Sequence, residues 1–315
     1  MKPYPLKTVP IFKQRIWGGQ KLKKTFGKDL PLDSRIGESW ELADLPQDKS
    51  LIANGEFAGQ TLAALAESHP EAITGRKSFP KPFPLLIKLL DAEDVLSVQV
   101  HPDPETCRRM GRGDPKTECW YVIDAEPGAV IYKGLKHPVT KERFAQAIEN
   151  GTTADLLAKI PVKPGECHFL PAGTVHAIGT GLLIAEIQTP SDTTYRVFDW
   201  NRVDKAGQSR QLHIDEALES IHFDVTAESL PVAKGGRLVD CEYFRVDKGH
   251  RMADRQLLLR QGQMQTLIIL SGEGGILSAQ IEPVEFTAGD CVVIPASYEG
   301  AVMFTAETEY LTVTL

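Results

Sequence analysis

Two segments lying 124 residues apart are variants of one pattern. KPGECHFLPAGTVHAIG (163–179) and TAGDCVVIPASYEGAVM (287–303) share, in step, Gly, an acidic residue, Cys, three residues, Pro and Ala. A pattern of that length is one supersecondary unit, and its recurrence means that the scaffold is built twice. Upstream, ECWYVIDAEPGAVIY (118–132) is echoed by QTLIILSGEGGILSA (265–279), with strand, turn and strand in the same order. The expected architecture is two related β-barrels with a boundary near Lys234-Gly235-Gly236, giving residues 1–235 and 236–315. The copies differ in one respect. Where the first continues to Gly173 and His176, the second has Ser297 and Gly300.

The rest of the chain agrees with a mainly β fold. Short runs rich in β-branched residues and bounded by Gly, Pro, Asn or Asp recur at 95–101, 119–123, 182–188, 257–259, 266–270, 291–294 and 310–315. Helical patterns are fewer. Thr61 to Ser68 sets Leu62, Leu65 and Ala66 on one face, and Thr140 opens a helix with Phe144, Ala147 and Ile148 aligned, ended by Gly151. Two further short helices are predicted over 153–160 and 214–221, so the helices read as insertions and covers on a β scaffold.

With 42% hydrophobic residues and a length of 315, the chain can bury a large core without covalent staples. Its five cysteines are scattered and never form a CxxC pair, which argues for reduced thiols and against a thiolate zinc site. A net charge of −7 offers no basic surface for nucleic acid. The first residues have no apolar stretch of signal-peptide length, and the run from Leu85 to Leu90 is broken by Lys88. A cytoplasmic protein without membrane attachment is expected.

In VLSVQVHPDPE (95–105) strict alternation puts Ser97, Gln99 and His101 on one strand face. Glu118 opens the next strand among Trp120, Tyr121 and Val122, where a buried carboxylate needs a partner, Lys116 being the simplest. His176 follows a Pro171-Ala-Gly173 turn that suits close backbone approach to a ligand. Each alone reads as an ordinary hydrogen-bonded side chain; together Gln99, His101, Glu118 and His176 make a donor set suited to Zn²⁺ or another divalent first-row metal. Lys88, inside an apolar strand, should face an anion, with Glu93 or Asp94 as the nearest candidates. Trp17, Trp40 and Trp120 read as core packing rather than sugar-stacking surfaces.

GECHFLPAGTVH resembles the second cupin motif, and QVH resembles the first with Gln in place of its leading His. Together with IWGG (16–19), GESWELAD (37–44), PLLIKLLDAEDVLSVQVHPDPE (84–105), KTECWYV (116–122) and TTYRVFDW (193–200), the chain resembles type I mannose-6-phosphate isomerases of the short bacterial form from about residue 10 to 200. The resemblance implies two cupin-type jelly-roll barrels with a small helical cover. It also implies an enzyme that interconverts mannose 6-phosphate and fructose 6-phosphate, with one Zn²⁺ per chain on Gln99, His101, Glu118 and His176. Arg196, Asp192, Lys88 and Lys116 match the family's active-site arginine, acidic residue and lysines. Pro115 stands where many members have a His, so a histidine proton carrier is absent there. The partner implied is a small sugar phosphate. Two other readings share the donor set: an Fe(II) oxygenase, since two His and a carboxylate form its facial triad, and a cupin that binds sugar phosphate without turnover. The second half, lacking the histidine, is expected to hold no catalytic metal and to pack against the first or shape its cleft.

Overall fold

Apolar runs without alternation become strands covered on both faces. LLIAEIQ (Leu182–Gln188) and LIKLLDA (Leu86–Ala92) are buried at every position, as a sheet held between two other layers requires. The computed structural model describes residues 2–79, 81–203, 207–279 and 281–315.

In chain order the strands begin with β1 (Leu6–Lys7), β2 (Ile11–Gly19), β3 (Ile36–Leu42), β4 (Leu86–Ala92) and β5 (Val98–Val100). There follow β6 (Glu118–Ala125), β7 (Val130–Leu135), β8 (Leu157–Pro161), β9 (Cys167–Leu170), β10 (His176–Ile178), β11 (Leu182–Gln188) and β12 (Tyr195–Phe198). The first half closes with β13 (Val232–Ala233), and the second half holds β14 (Arg237–Asp240), β15 (Arg245–Arg251), β16 (Gln256–Leu258) and β17 (Gln265–Ser271). It ends with β18 (Glu273–Leu277), β19 (Val284–Thr287), β20 (Cys291–Ile294), β21 (Ala301–Phe304) and β22 (Thr308–Thr314).

These strands form two antiparallel sandwiches. The first pairs a sheet of order β13-β9-β6-β11-β4-β3-β2 with one of order β12-β5-β10-β7-β8; the second pairs β1-β20-β17-β22-β15-β14 with β16-β21-β18-β19. The repeat is visible strand by strand. β9 and β20 are 124 residues apart, and β6-β9, β6-β11, β7-β8 and β7-β10 find their counterparts in β17-β20, β17-β22, β18-β19 and β18-β21. Among the described residues the facing sheets remain separate, so each half is a jelly-roll sandwich rather than a hydrogen-bonded closed barrel. The first half also lends an edge to the second. β1, from the N-terminus, pairs with β20, while β13 pairs with β9.

Four apolar layers hold this stack. One fills the first sandwich around Trp120, Ile131 and Ile184, and another fills the second around Leu267, Phe286 and Phe304. The largest lies between the two long sheets, where Tyr121, Ala185 and Ile187 meet Ile268, Val293 and Leu311, so the halves share a core. The fourth seats two helices, Lys141–Glu149 and Ile214–Ser220, on the outer face of the small first sheet through Phe144, Ile148 and Ala217.

The helices are α1 (Lys21–Phe26), α2 (Leu62–Ser68), α3 (Pro70–Thr74), α4 (Pro104–Met110), α5 (Lys141–Glu149) and α6 (Ile214–Ser220). α2 and α5 start as expected, with the Thr61 and Thr140 hydroxyls accepting from the Ala64 and Arg143 amides. One expectation fails. Residues 153–160 are not a helix: a 3-10 turn at Thr153–Leu156 passes directly into β8, whose Ile160 pairs with Ile131 at a sheet edge. The strand expected over 95–101 contracts to β5, its flanks being held by contacts outside the ladder. No helix among the described residues is long and apolar enough to cross a membrane.

Candidate active site

Three strands bring their ends to one rim of the first sandwich. β5 carries Gln99 with His101 just beyond its end, β6 begins at Glu118 and β10 begins at His176. The local sequence explains the placement. Pro102 stops the strand after His101, and Asp103 then caps α4 by accepting from the Thr106 amide at 2.7 Å, with Pro104 in the first turn. The turn before His176 is tied to the same spot, because the Gly173 amide donates to the His101 carbonyl at 2.8 Å. Gly173 has φ +86°, and a Cβ there would run into the His222 ring, so this turn needs glycine.

One ligand atom each from His101, Glu118 and His176 lies within 4.8 Å of the others, and all three residues are buried. Glu118 bridges the imidazoles, with His101 Nε2 3.5 Å from Oε2 and His176 Nε2 3.5 Å from Oε1. The outer ring nitrogens are engaged: His101 Nδ1 donates to the Thr193 carbonyl at 2.8 Å and His176 Nδ1 to the Thr174 carbonyl at 2.9 Å. Both rings are thereby fixed as the tautomer whose Nε2 carries the lone pair. Burial holds both imidazoles below the ordinary histidine range, far below for His101, where Lys116 adds to the effect, and they are neutral at pH 7. His101 Nε2, His176 Nε2 and Glu118 Oε1 are buried without a hydrogen-bond partner. Buried polar atoms of that kind are costly unless something binds them, and this donor set suits a divalent cation. Gln99 lies opposite His176 on one side and Arg196 on the other, linking the triad to the cleft above it.

That cleft has a volume of about 380 Å³, within the usual range for small-molecule sites, and Lys88, Gln99, Lys116, Glu186, Asp192 and Arg196 all line it. A larger cavity of about 790 Å³ shares Lys116 with it but contains none of Lys88, Gln99, Asp192 and Arg196 and has six prolines in its wall, so the chemistry is assigned to the smaller one. Lys116 Nζ is 2.8 Å from Glu118 Oε2 and 3.8 Å from Glu186 Oε1. Its backbone amide donates to the Pro102 carbonyl, next to His101.

Lys88 faces an anion as expected, but a different one. Its cross-strand partner Glu186 is 3.2 Å away and Asp192 3.9 Å, while Glu93 and Asp94 form no ion pair with it. Burial alone would lower the Lys88 pKa; Glu186, Glu38 and Asp192 outweigh it and hold the ammonium charged well above the ordinary lysine range. Trp40 lies under that ammonium at 5.0 Å, and the Trp120 indole donates to Glu186 Oε2 at 3.1 Å. Trp40 and Trp120 are thus core residues, as expected, that also hold charged groups in place, whereas the buried Trp17 lines the cleft.

Arg196 donates from Nε to Ser97 Oγ at 3.2 Å and from Nη1 to the Gln211 carbonyl at 2.8 Å. Among the described residues no carboxylate lies within ion-pair distance of it. Asp199 is taken by Arg210 and by Arg202, the latter at 2.6 Å. Sequence reasoning missed Glu38, Glu186, Ser97 and Arg210, which complete the cleft wall. Glu186 carried a usable signal: a lone carboxylate in a seven-residue apolar strand demands a cation as firmly as Lys88 demands an anion.

Residues 6–130 match the model of the phosphomannose isomerase type I catalytic domain. The chain is 41% identical to the probable mannose-6-phosphate isomerase GmuF of Bacillus subtilis (strain 168), covering 94% of each. It is 38% identical to mannose-6-phosphate isomerase ManA of the same organism, again over 94% of each. The crystal structure of the mannose 6-phosphate isomerase from Bacillus subtilis superimposes with a TM-score of 0.86 at 32% identity, covering 99% of both chains.

Proposed function

The chain belongs to the type I phosphomannose isomerase family, and from that premise we propose that it interconverts mannose 6-phosphate and fructose 6-phosphate through an enediol. The observation that carries this reading is the convergence of His101, Glu118 and His176, with unpartnered ligand atoms, beneath a cleft lined by Lys88, Lys116 and Arg196. His101, Glu118 and His176 would hold one Zn²⁺, with Gln99 as fourth ligand. Bound there, the ion supplies a Lewis acid for the sugar oxygens at C1 and C2.

The remaining steps fall to the chain itself. Aldose–ketose isomerisation moves one proton between adjacent carbons while negative charge builds on their oxygens. Arg196, a cation with no carboxylate within ion-pair distance among the described residues, is suited to that developing charge or to the phosphate, where its planar fork can make two parallel bonds. Lys88, held as ammonium by Glu186, adds fixed positive potential and is unsuited to act as base. Lys116 lies against the ligand Glu118 and faces the cleft, which makes it the group placed to carry the proton. Asp192, half exposed at the mouth, orients Lys88. In this reading residues 1–235 do the chemistry and 236–315 form a counterpart unit without the ligand set.

A coupled assay with mannose 6-phosphate, run on purified, chelated and Zn²⁺-restored protein with metal content measured alongside, tests the proposal. Activity should vanish on chelation, return with zinc and persist without oxygen, which separates isomerase from oxygenase chemistry. Full activity after demetallation would overturn the metal assignment, and no conversion by metal-loaded protein would overturn the isomerase reading.

A further inference from the structure

The second sandwich contains its own cleft, of about 180 Å³, lined among others by Asp247, Gly249, Arg251, Leu257, Arg260 and Thr312. Strand register shows where it stands relative to the first. In the first half Trp120 lies opposite His168 and Glu186, and Glu186 opposite Lys88. In the second, Leu267 lies opposite Val292 and Thr312, and Thr312 opposite Asp247. Thr312 and Asp247 therefore occupy the lattice points of Glu186 and Lys88, and Gly249 that of Leu90. The β5-β10 and β16-β21 ladders likewise place Leu257 where Ser97 is. The fold has formed the same cleft twice.

Its chemistry is different. Leu259, Gln265 and Gly300 stand at the lattice points of Gln99, Glu118 and His176. A side chain cannot simply be restored at Gly300, because a Cβ there would run into the Leu277 carbonyl. What the second cleft has instead is positive charge. Asp247 is paired with Arg237 at 2.6 Å and Lys248 with Glu309 at 3.4 Å, while among the described residues Arg251 and Arg260 have no carboxylate within ion-pair distance. Two guanidiniums on one small cavity match a tetrahedral oxyanion, each able to offer a fork of donors. The volume is below the roughly 300 Å³ at which ligand pockets usually begin, which favours a compact anion over a hexose phosphate.

We propose that this second cleft is a non-catalytic site for a phosphoryl dianion, free or as the head of a small phosphomonoester, held by Arg251 and Arg260. The inference does not depend on the activity assigned to the first cleft. Calorimetric titration of the full chain with inorganic phosphate, and separately with glycerol 3-phosphate, tests it and distinguishes the two sources. Two binding events per chain are expected with at least one of these probes. Arg251→Gln/Arg260→Gln should weaken one event tenfold or more and leave mannose 6-phosphate turnover unchanged, while Arg196→Ala should affect only the other. Should the double variant melt at a lower temperature, Arg260→Gln alone carries the comparison, since that side chain is exposed. A single event removed by Arg196→Ala, or a second event indifferent to the arginine variants, would overturn the proposal. An arginine-dependent event in a chain without isomerase activity would sustain it.

Discussion

Arg196 brings a guanidinium to the cleft with its carboxylate neighbours already engaged, Asp199 by Arg202 and Arg210 and Asp192 beside Lys88. A cation left this way is available to charge that appears during reaction. Arg196→Ala should therefore lower kcat roughly a hundredfold, about 3 kcal/mol, with little change in melting temperature. Arg196→Lys should recover little, because a point charge does not reproduce the fork. A near-normal kcat in either variant would remove Arg196 from catalysis. Lys133 is a different kind of residue. It is fully buried, its ammonium donates to the Leu230 carbonyl at 2.6 Å, and burial pushes its pKa down to about 8. Between about pH 8 and the unfolded value near 10.4 the folded chain has already lost a proton that the unfolded chain keeps, so this group makes stability rise with pH across that window. Below it, a buried charge opposes folding. Lys133→Met should accordingly raise the melting temperature by a few degrees at pH 7, with the gain shrinking towards pH 10. A gain independent of pH would mean that Lys133 is not the titrating group.

At the scale of elements, the site is an agreement among strand ends. His101 follows β5, Glu118 starts β6, His176 starts β10, and the Gly173 turn ties the first to the last through its bond to the His101 carbonyl. Gly173→Ala tests that coupling. An L-residue at φ +86° costs about 1–2 kcal/mol, and the new methyl would displace His222, whose ring meets Asp103 at the start of α4 at 2.8 Å. The expected result is a lower melting temperature together with weaker retention of added Zn²⁺ on dialysis. Unchanged retention of added Zn²⁺ in a destabilised protein would show that the turn supports the fold without aligning His101 and His176. Helix α4 makes a related point. Because Asp103 both caps α4 and pairs with His222, the segment just after His101 is held from two sides.

For the whole molecule, the shared layer between the long sheets and the edge strand β1 that the first half lends to the second make the halves interdependent. A fragment of residues 236–315 would expose Ile268, Val293 and Leu311 and lose the strand that covers β20. It should be unfolded or aggregated when expressed alone, as judged by circular dichroism and sedimentation. A soluble, cooperatively melting fragment would show that the second sandwich stands without the first. Removal of residues 1–9 from the full chain should likewise destabilise it, since Leu6 and Lys7 pair with Val293 and Val292 across the two halves.

Much of this was present in local sequence. Runs of β-branched residues located β6, β11, β17, β20 and β22, and alternation in VLSVQVH set Gln99 and His101 on one face, because a strand's period is a property of the strand itself. The apolar face of Leu62, Leu65 and Ala66 marked α2, and the Thr140 cap with Gly151 marked α5, for the same reason. What sequence could not supply was the choice between partners of equal chemistry. Lys88 had to face an anion, yet which one depended on how β11 lies against β4, and that register selected Glu186 over the adjacent Glu93 and Asp94. The short segment after Leu156 had helical spacing and became an edge strand because β7 offered it a ladder. Arg196 could have paired with Asp199 until Arg202 and Arg210 reached that carboxylate. Local order followed from covalent neighbours and side-chain period; pairing across the sheets was decided only when burial forced distant strands into one register.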